Sequence, residues 1–304
     1  MPKICYADKK FNSKSRTVIE HANAIIEDYQ SQGLTLTLRQ IYYRFVAAAL
    51  IPNSQKEYKK LGSIINDGRM AGLIDWNAIE DRGRNLNTIP AWSNPADIIR
   101  AAANGYAIDL WEGQEYRVEV FVEKQALESV IENAAQPLAC ASYACKGYMS
   151  QSEMWRAANR FKNYSERGYK SVIIHLGDHD PSGVDMTRDI DDRLYVFGAK
   201  VKVERIALNM DQIEKYDPPA NPAKLTDTRA NDYIALHGDE SWELDALEPS
   251  VLHKLIQDTI RKYMDVDMFD ARKEQQEEER KQLDNVSEKW YDIQENLSKE
   301  KSDE

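Results

Sequence analysis

Between Ser15 and Gln32 the apolar residues Val18, Ala22, Ile25, Ile26 and Tyr29 recur at helical spacing, and Gly33 supplies a stop. A second stripe, Leu38, Ile41, Tyr42, Phe45 and Ala49, starts just after Thr37. Gln40, three residues beyond Thr37, completes a capping-box pattern. Pro52 closes that helix, and Ser54 with Glu57 repeats the pattern and opens a third, to about Arg69. The stretch "GLIDWNAI" reads as a short strand pair. Three short helices and a strand pair predict a winged helix-turn-helix over residues 1–90.

Two prolines in "IPAWSNPAD" mark a linker near Thr88–Asn94, and residues 91–115 read as linker plus helix. The period then changes. Strands are predicted at Tyr116–Val122, Leu138–Tyr143, Ser171–Leu176 and Lys200–Ala207. Helices are predicted between them at Gln125–Asn133, Gln151–Gly168 and Ser182–Tyr195. Strand alternating with helix predicts an α/β domain over residues 116–265, a parallel sheet covered on both faces. A proline-rich loop, "DPPANPAK", and a further turn and helix complete it. Residues 266–304 form a highly charged helix in which Leu283, Val286, Trp290, Ile293 and Leu297 follow a 3-4-3-4 spacing. That stripe suits either a coiled-coil seam with a second helix or a helix folded back on its own domain.

Composition narrows the partners. The net charge of −11 over 304 residues argues against nucleic acid when taken alone. The charge is uneven, however. Residues 1–100 hold 14 Lys+Arg against 10 Asp+Glu, whereas residues 265–304 hold 7 against 14. The predicted winged helix is therefore the basic part. No apolar run is long enough to span a bilayer, and no signal-peptide pattern follows Met1. The three cysteines, Cys5, Cys140 and Cys145, have no zinc spacing and suit a reducing, cytosolic compartment.

The candidate chemistry lies at strand ends. "GDHDPSG" (Gly177–Gly183) follows the apolar run "SVIIHL", and Glu123 follows the first strand of the sheet. In an open parallel sheet, ligands gather at the carboxyl ends of strands. If those two strands are neighbours, Glu123, Asp178 and Asp180 converge, and such a group either retains a proton or binds a hard cation. Mg²⁺, with its oxygen ligands and retained waters, suits such a group beside a phosphate. His175 alternates within its strand and reads as a packed core residue.

"VFVEKQAL", "CKGYMS" and "IIHLGDHDPSG" together resemble the three signature stretches of a Toprim domain, a Rossmann-like parallel sheet. The version they resemble is that of the topoisomerase VI A subunit and its meiotic relative, the transesterase that makes double-strand breaks. The resemblance implies a Mg²⁺ site from Glu123, Asp178 and Asp180, with Gly147 ending the second stretch and Lys124 as a basic neighbour. "WELDAL" resembles a stretch near that family's C-terminus, with Glu243 and Asp245 near the metal. "RQIYYR" resembles the family's winged-helix stretch that carries the nucleophilic tyrosine, matched here by Tyr43, with Arg39 and Arg44 as phosphate contacts. Helical periodicity separately places Tyr42 toward the core and Tyr43 about 100° away, more exposed.

The expected function is Mg²⁺-dependent cleavage of duplex DNA by tyrosine transesterification, in which Glu123 either holds metal or moves a proton for the departing 3′ hydroxyl. The resemblance implies a homodimer that pairs one chain's tyrosine with the other's carboxylates. Strand passage would need a separate ATPase subunit, since the chain has no ATP-binding domain. Two alternatives stay open: a Toprim nuclease that uses water, and a non-catalytic DNA-binding accessory protein of the phage type.

Overall fold

The computed structural model describes residues 3–31, 35–79, 89 and 91–300, with side chains to residue 296. Gly33, Thr88 and the side chain of Leu297 lie outside the described residues. The chain divides into two compact units, Met1–Arg84 with Arg117–Lys262, and Asn85–Tyr116 with Tyr263–Glu304. The 91–115 segment and the charged tail, read separately from the sequence, thus share one unit.

In the first unit, α1 (Ser13–Ser31), α2 (Leu38–Ala47) and α3 (Gln55–Met70) pack around Ile19, Ala22, Ile26, Tyr29, Ile41, Phe45, Leu61 and Ile65. Thr37 caps α2 as anticipated. Its hydroxyl accepts from the Gln40 backbone N–H, and the Gln40 carboxamide oxygen accepts from the Thr37 N–H at 2.8 Å. Ser54 caps α3 through the Glu57 N–H. In place of the strand pair predicted in "GLIDWNAI", Ile79 makes a single bridge to Leu36, and Ala71, just before the segment, bridges to Cys5. Both partners are distant in sequence, so alternation within the segment could not reveal them. The helix α4 (Pro95–Gly105) belongs to the second unit.

The sheet of the first unit contains β1 (Tyr116–Val122), β2 (Ala141–Ala144), β3 (Lys170–Leu176) and β4 (Val201–Ala207), in the order β2-β1-β3-β4. It is a parallel α/β sheet. The β2 strand starts later than predicted because Gln136–Leu138 forms a 3-10 turn, with Pro137 unable to donate to a strand partner. Between these strands lie α5 (Glu128–Ala135), α6 (Gln151–Glu166) and α7 (Pro181–Val196). After β4 come α8 (Met210–Tyr216), the short antiparallel pair β5 (Asn221–Pro222) and β6 (Glu240–Ser241), α9 (Ala230–His237) and α10 (Pro249–Arg261). One face of the sheet packs Phe121 and Ile173 against Met154, Phe161 and Ile190 of α6 and α7. On that face Arg160 donates to Glu119 with two parallel bonds of 2.7 and 2.8 Å, which neutralises a buried carboxylate. Helices α5 and α10 pack together, and α10 lies on β3 and β4.

In the second unit, α11 (Val266–Glu288) folds back along α4, followed by α12 (Trp290–Glu300). Ser287 donates to the Ala96 carbonyl at 2.9 Å, and Gln276 accepts from the Ile108 N–H at 3.0 Å. Of the two readings of the charged helix, the structure thus contains the folded-back one. The helix breaks at Lys289, so Leu283 and Val286 lie on one helix and Trp290 and Ile293 on the next. Among the described residues no helix is long and apolar enough to cross a membrane.

Candidate active site

The carboxyl ends of β1 and β3 are adjacent, with the Glu123 N–H donating to the Leu176 carbonyl at 2.9 Å. This brings Glu123 beside "GDHDPSG". The Glu123 Oε2 accepts from the Asp178 N–H at 2.8 Å. Asp180 is the N-cap of α7, its Oδ1 accepting from the Gly183 N–H at 2.7 Å and from the Ser182 hydroxyl at 2.9 Å. Gly183 is there for space. A β-carbon on it would stand 2.3 Å from the Asp178 carbonyl oxygen and 2.9 Å from Glu123 Oε2. Glu123, Asp178 and Asp180 therefore line one cavity of about 570 Å³.

A distant segment completes the wall. His179 and Trp242 exchange backbone hydrogen bonds of 2.9 Å, which lays "WELDAL" against the aspartate loop. The Leu244 N–H then donates to Asp178 Oδ1 at 2.8 Å, and Glu243 and Asp245 join the cavity lining. The Lys124 ammonium sits among these acids, 3.0 Å from Asp178 and 2.8 Å from both Glu243 and Asp245. Arg39 reaches in from α2, 2.6 Å from Glu243 and 3.2 Å from Asp245. Lys146 and Lys224 also border the cavity. Its surface thus combines five carboxylates with four basic side chains.

Burial pushes the Asp178 carboxyl up to about 7, with Glu123 and Asp245 adding to the effect against the pull of Lys124. Burial, and then Asp180, also raises Glu123. Glu243 behaves oppositely. Burial works against its charge, but Lys124 and Arg39 overcome this and hold it at about 2. Although Lys124 and Lys224 lie beside it, the aspartate loop still holds carboxyls raised by burial, and its donors are hard oxygens, the type Mg²⁺ takes. Gly177 and Gly183 keep side-chain bulk out of this loop.

No protein-family model matches the chain, and no curated protein matches it significantly.

The basic residues expected to face DNA differ in placement. Arg39 is 44% exposed at its side chain and borders the cavity. Arg44 is largely buried, donating to the Ala246 carbonyl and pairing with Glu248, and burial lowers its pKa to about 10. Lys124 is committed to the three carboxylates. The exposure expected for Tyr43 is not found. Tyr43 is 2% exposed and Tyr42 4%. Periodicity assumes one apolar face, but α2 contacts α1, α3 and the 3-10 turn Leu244–Ala246, so it is enclosed on several sides. The Tyr43 hydroxyl accepts from Arg39 at 3.4 Å. Burial, Asp245 and Glu243 together keep the phenol protonated against Arg39.

Arg205, at the end of β4, escaped the sequence reading. Its guanidinium donates to the carbonyls of Asp178 (2.7 Å), Gly183 (2.8 Å) and Gly177 (3.0 Å) and so braces the aspartate loop. The signal that selects Glu123, a charged residue at the carboxyl end of a strand, also applied to Arg205.

His175 lies in the core as anticipated, its Nδ1 2.8 Å from the Thr187 hydroxyl. Burial, then Arg205, lowers its pKa from 6.5 to about 3. Below the unfolded-state value the unfolded chain takes up a proton that the folded chain refuses. This stabilisation is thus present at neutral pH and is lost as the pH falls. Relative to His175→Gln, the wild type should lose about 2 kcal/mol between pH 6.5 and about pH 5. Urea unfolding of both proteins at the two pH values measures this, and parallel profiles would refute it.

Proposed function

We propose that the protein cleaves nucleic-acid strands, with duplex DNA as the expected substrate, in a reaction that depends on Mg²⁺. In this reading the chain pairs a winged-helix-like N-terminal part with a Toprim-like sheet. The observation that carries it is the cavity shared by Glu123, Asp178 and Asp180, with Arg39, Lys146 and Lys224 beside them. Acids alone would repel a phosphate, and bases alone would bind one without chemistry. Both together suit a phosphodiester held by a cation. When bound, Mg²⁺ would supply positive charge for the phosphate and the leaving oxygen.

Asp178 and Asp180 are the residues that would hold the ion, and Arg39 orients the phosphate oxygens. The nucleophile is Tyr43, which Arg39 contacts directly. Its oxygen forms a bond to phosphorus as the bond from phosphorus to the 3′ oxygen breaks. The phenolic proton passes to water as that bond forms, because Lys124 and Arg39 hold Glu243 at about 2 and leave it too weak a base to take it. Glu123, whose carboxyl is raised, protonates the departing 3′ oxygen. Tyrosine and carboxylates are within one chain, linked through Arg39 and Glu243. A homodimer would set two such sites on the two strands of a duplex.

The burial of Tyr43 favours a second reading, in which water attacks and the tyrosine only packs. One assay separates the two. Supercoiled plasmid is incubated with protein and Mg²⁺, and half of each sample is treated with protease before electrophoresis. In the first reading Tyr43→Phe removes any protein-linked DNA product, at least about 100-fold, and Tyr42→Phe leaves it. Undiminished cleavage by Tyr43→Phe, with no protein-linked product from wild type, establishes water as the nucleophile.

A further inference from the structure

A second cavity, of about 290 Å³, adjoins the first through Arg39 and Glu243, which line both. That volume is close to the small end of ligand pockets, ~300 Å³, and suits one planar heterocycle. Its wall is aromatic and amide-rich: Tyr42, Tyr43, Tyr58, Asn53, Gln55 and Asn221. Tyr42 packs edge-on against Tyr43 and against Tyr58, each at 5.3 Å between ring centroids. The Tyr42 hydroxyl accepts from the Ser54 N–H at 2.7 Å, and Asn53 donates to Asn221 at 2.8 Å. One side of the cavity is therefore held in place by its own bonds. The Gln55 carboxamide and the Tyr58 hydroxyl make no hydrogen bond within the chain among the described residues. Lys56 and Lys59 lie exposed on the same helix.

The half-buried Tyr58 ring in front of the buried Tyr42 and Tyr43, uncommitted amide and hydroxyl groups, a guanidinium and flanking lysines are the means by which proteins hold an unstacked base on its backbone. We infer that this second cavity takes one unpaired nucleobase of the strand whose phosphate occupies the carboxylate cavity. This rests on the cleavage reading above and adds a substrate class: single-stranded or locally melted nucleic acid. In a closed duplex the base is stacked and paired, so entry requires its extrusion from the helix.

The test uses a single-stranded oligonucleotide containing 2-aminopurine, and the same oligonucleotide in a full duplex, both with Ca²⁺ in place of Mg²⁺, so that a cation still offsets the carboxylates while binding is read ahead of cleavage. Wild type should quench the single-stranded probe by stacking and bind it at least tenfold more tightly than the duplex. Tyr58→Leu should weaken single-strand binding about 5- to 150-fold and remove the quench, the range expected for loss of one base stack. Tyr58→Phe should retain both. Gln55→Ala, at an exposed first-turn position that leaves packing alone, should weaken binding at least threefold, and it decides the matter should Tyr58→Leu not fold. Equal affinity for duplex and single strand, or Gln55→Ala and a folded Tyr58→Leu that both bind as wild type, overturns the inference. The two readings fail separately. Quenching without Mg²⁺-dependent cleavage by wild type removes the cleavage reading and keeps the base site, whereas cleavage without quenching removes only the base site.

Discussion

Asp178→Asn and Asp180→Asn should each abolish Mg²⁺-dependent strand cleavage, by at least about 100-fold, while the fold persists. Groups that merely orient metal ligands typically cost 10- to 100-fold when removed, so loss of a direct ligand sets that figure as a floor. The fold should survive because the substitution keeps shape. Asp178 accepts from the Leu244 N–H through Oδ1, and Asp180 from the Gly183 N–H, and the oxygen of an asparagine can do the same. Burial already pushes Asp178 up to about 7, so neutralising it removes an expense of desolvation. The variant should therefore be no less stable than wild type near pH 8. The measurements are plasmid nicking over time and thermal unfolding on the same samples. Cleavage at the wild-type rate by either variant would sink the metal-site assignment, and with it the proposed chemistry.

Lys124→Met should be the most damaging substitution for stability, at about 3–5 kcal/mol. Lys124 answers Asp178, Glu243 and Asp245 at once, at 2.8–3.0 Å. The Asp245 side chain has no solvent exposure, and without Lys124 its remaining cation is Arg39, at 3.2 Å. A lone buried carboxylate costs more than the original pair contributed, because nothing replaces its water. Methionine preserves the stem's packing and removes only the charge. The deficit should shrink toward pH 5, where the stranded carboxyls can take up protons instead. Urea unfolding at pH 8 and pH 5 is the check. A loss under about 1 kcal/mol at both would mean that water or rearrangement neutralises the cluster, contrary to the packing described.

What could be read along the chain was what local chemistry decides. The Thr37–Gln40 capping box forms as read, because its partners are three residues apart on one turn. The boundaries of β1 match to the residue, and β3 and β4 match within one at the N-terminal end, because each is rich in β-branched residues and none carries a helical period. Strand-helix alternation put Glu123, Asp178 and Asp180 at the carboxyl ends of strands, and the strand order β2-β1-β3-β4 then made β1 and β3 the neighbours that their convergence required. The "GLIDWNAI" segment was misread because its bridge, from Ile79 to Leu36, and that of the preceding Ala71 to Cys5 depend on distant chain.

Tyr43 marks the limit of that kind of reading. Period 3.6 locates a side chain around its own helix, but exposure depends on what else approaches that helix. Here the approaching segment is Leu244–Ala246, about two hundred residues on and held by the His179–Trp242 bridge. Alternation, capping and the strand-end carboxylates were therefore determined by sequence, because each arises within a few residues or from one repeated unit. The burial of Tyr43, the commitment of Lys124 to three acids, the bracing by Arg205 and the second cavity were decided only by tertiary structure. Each depends on segments brought together by long-range contacts, whose partners no local pattern names.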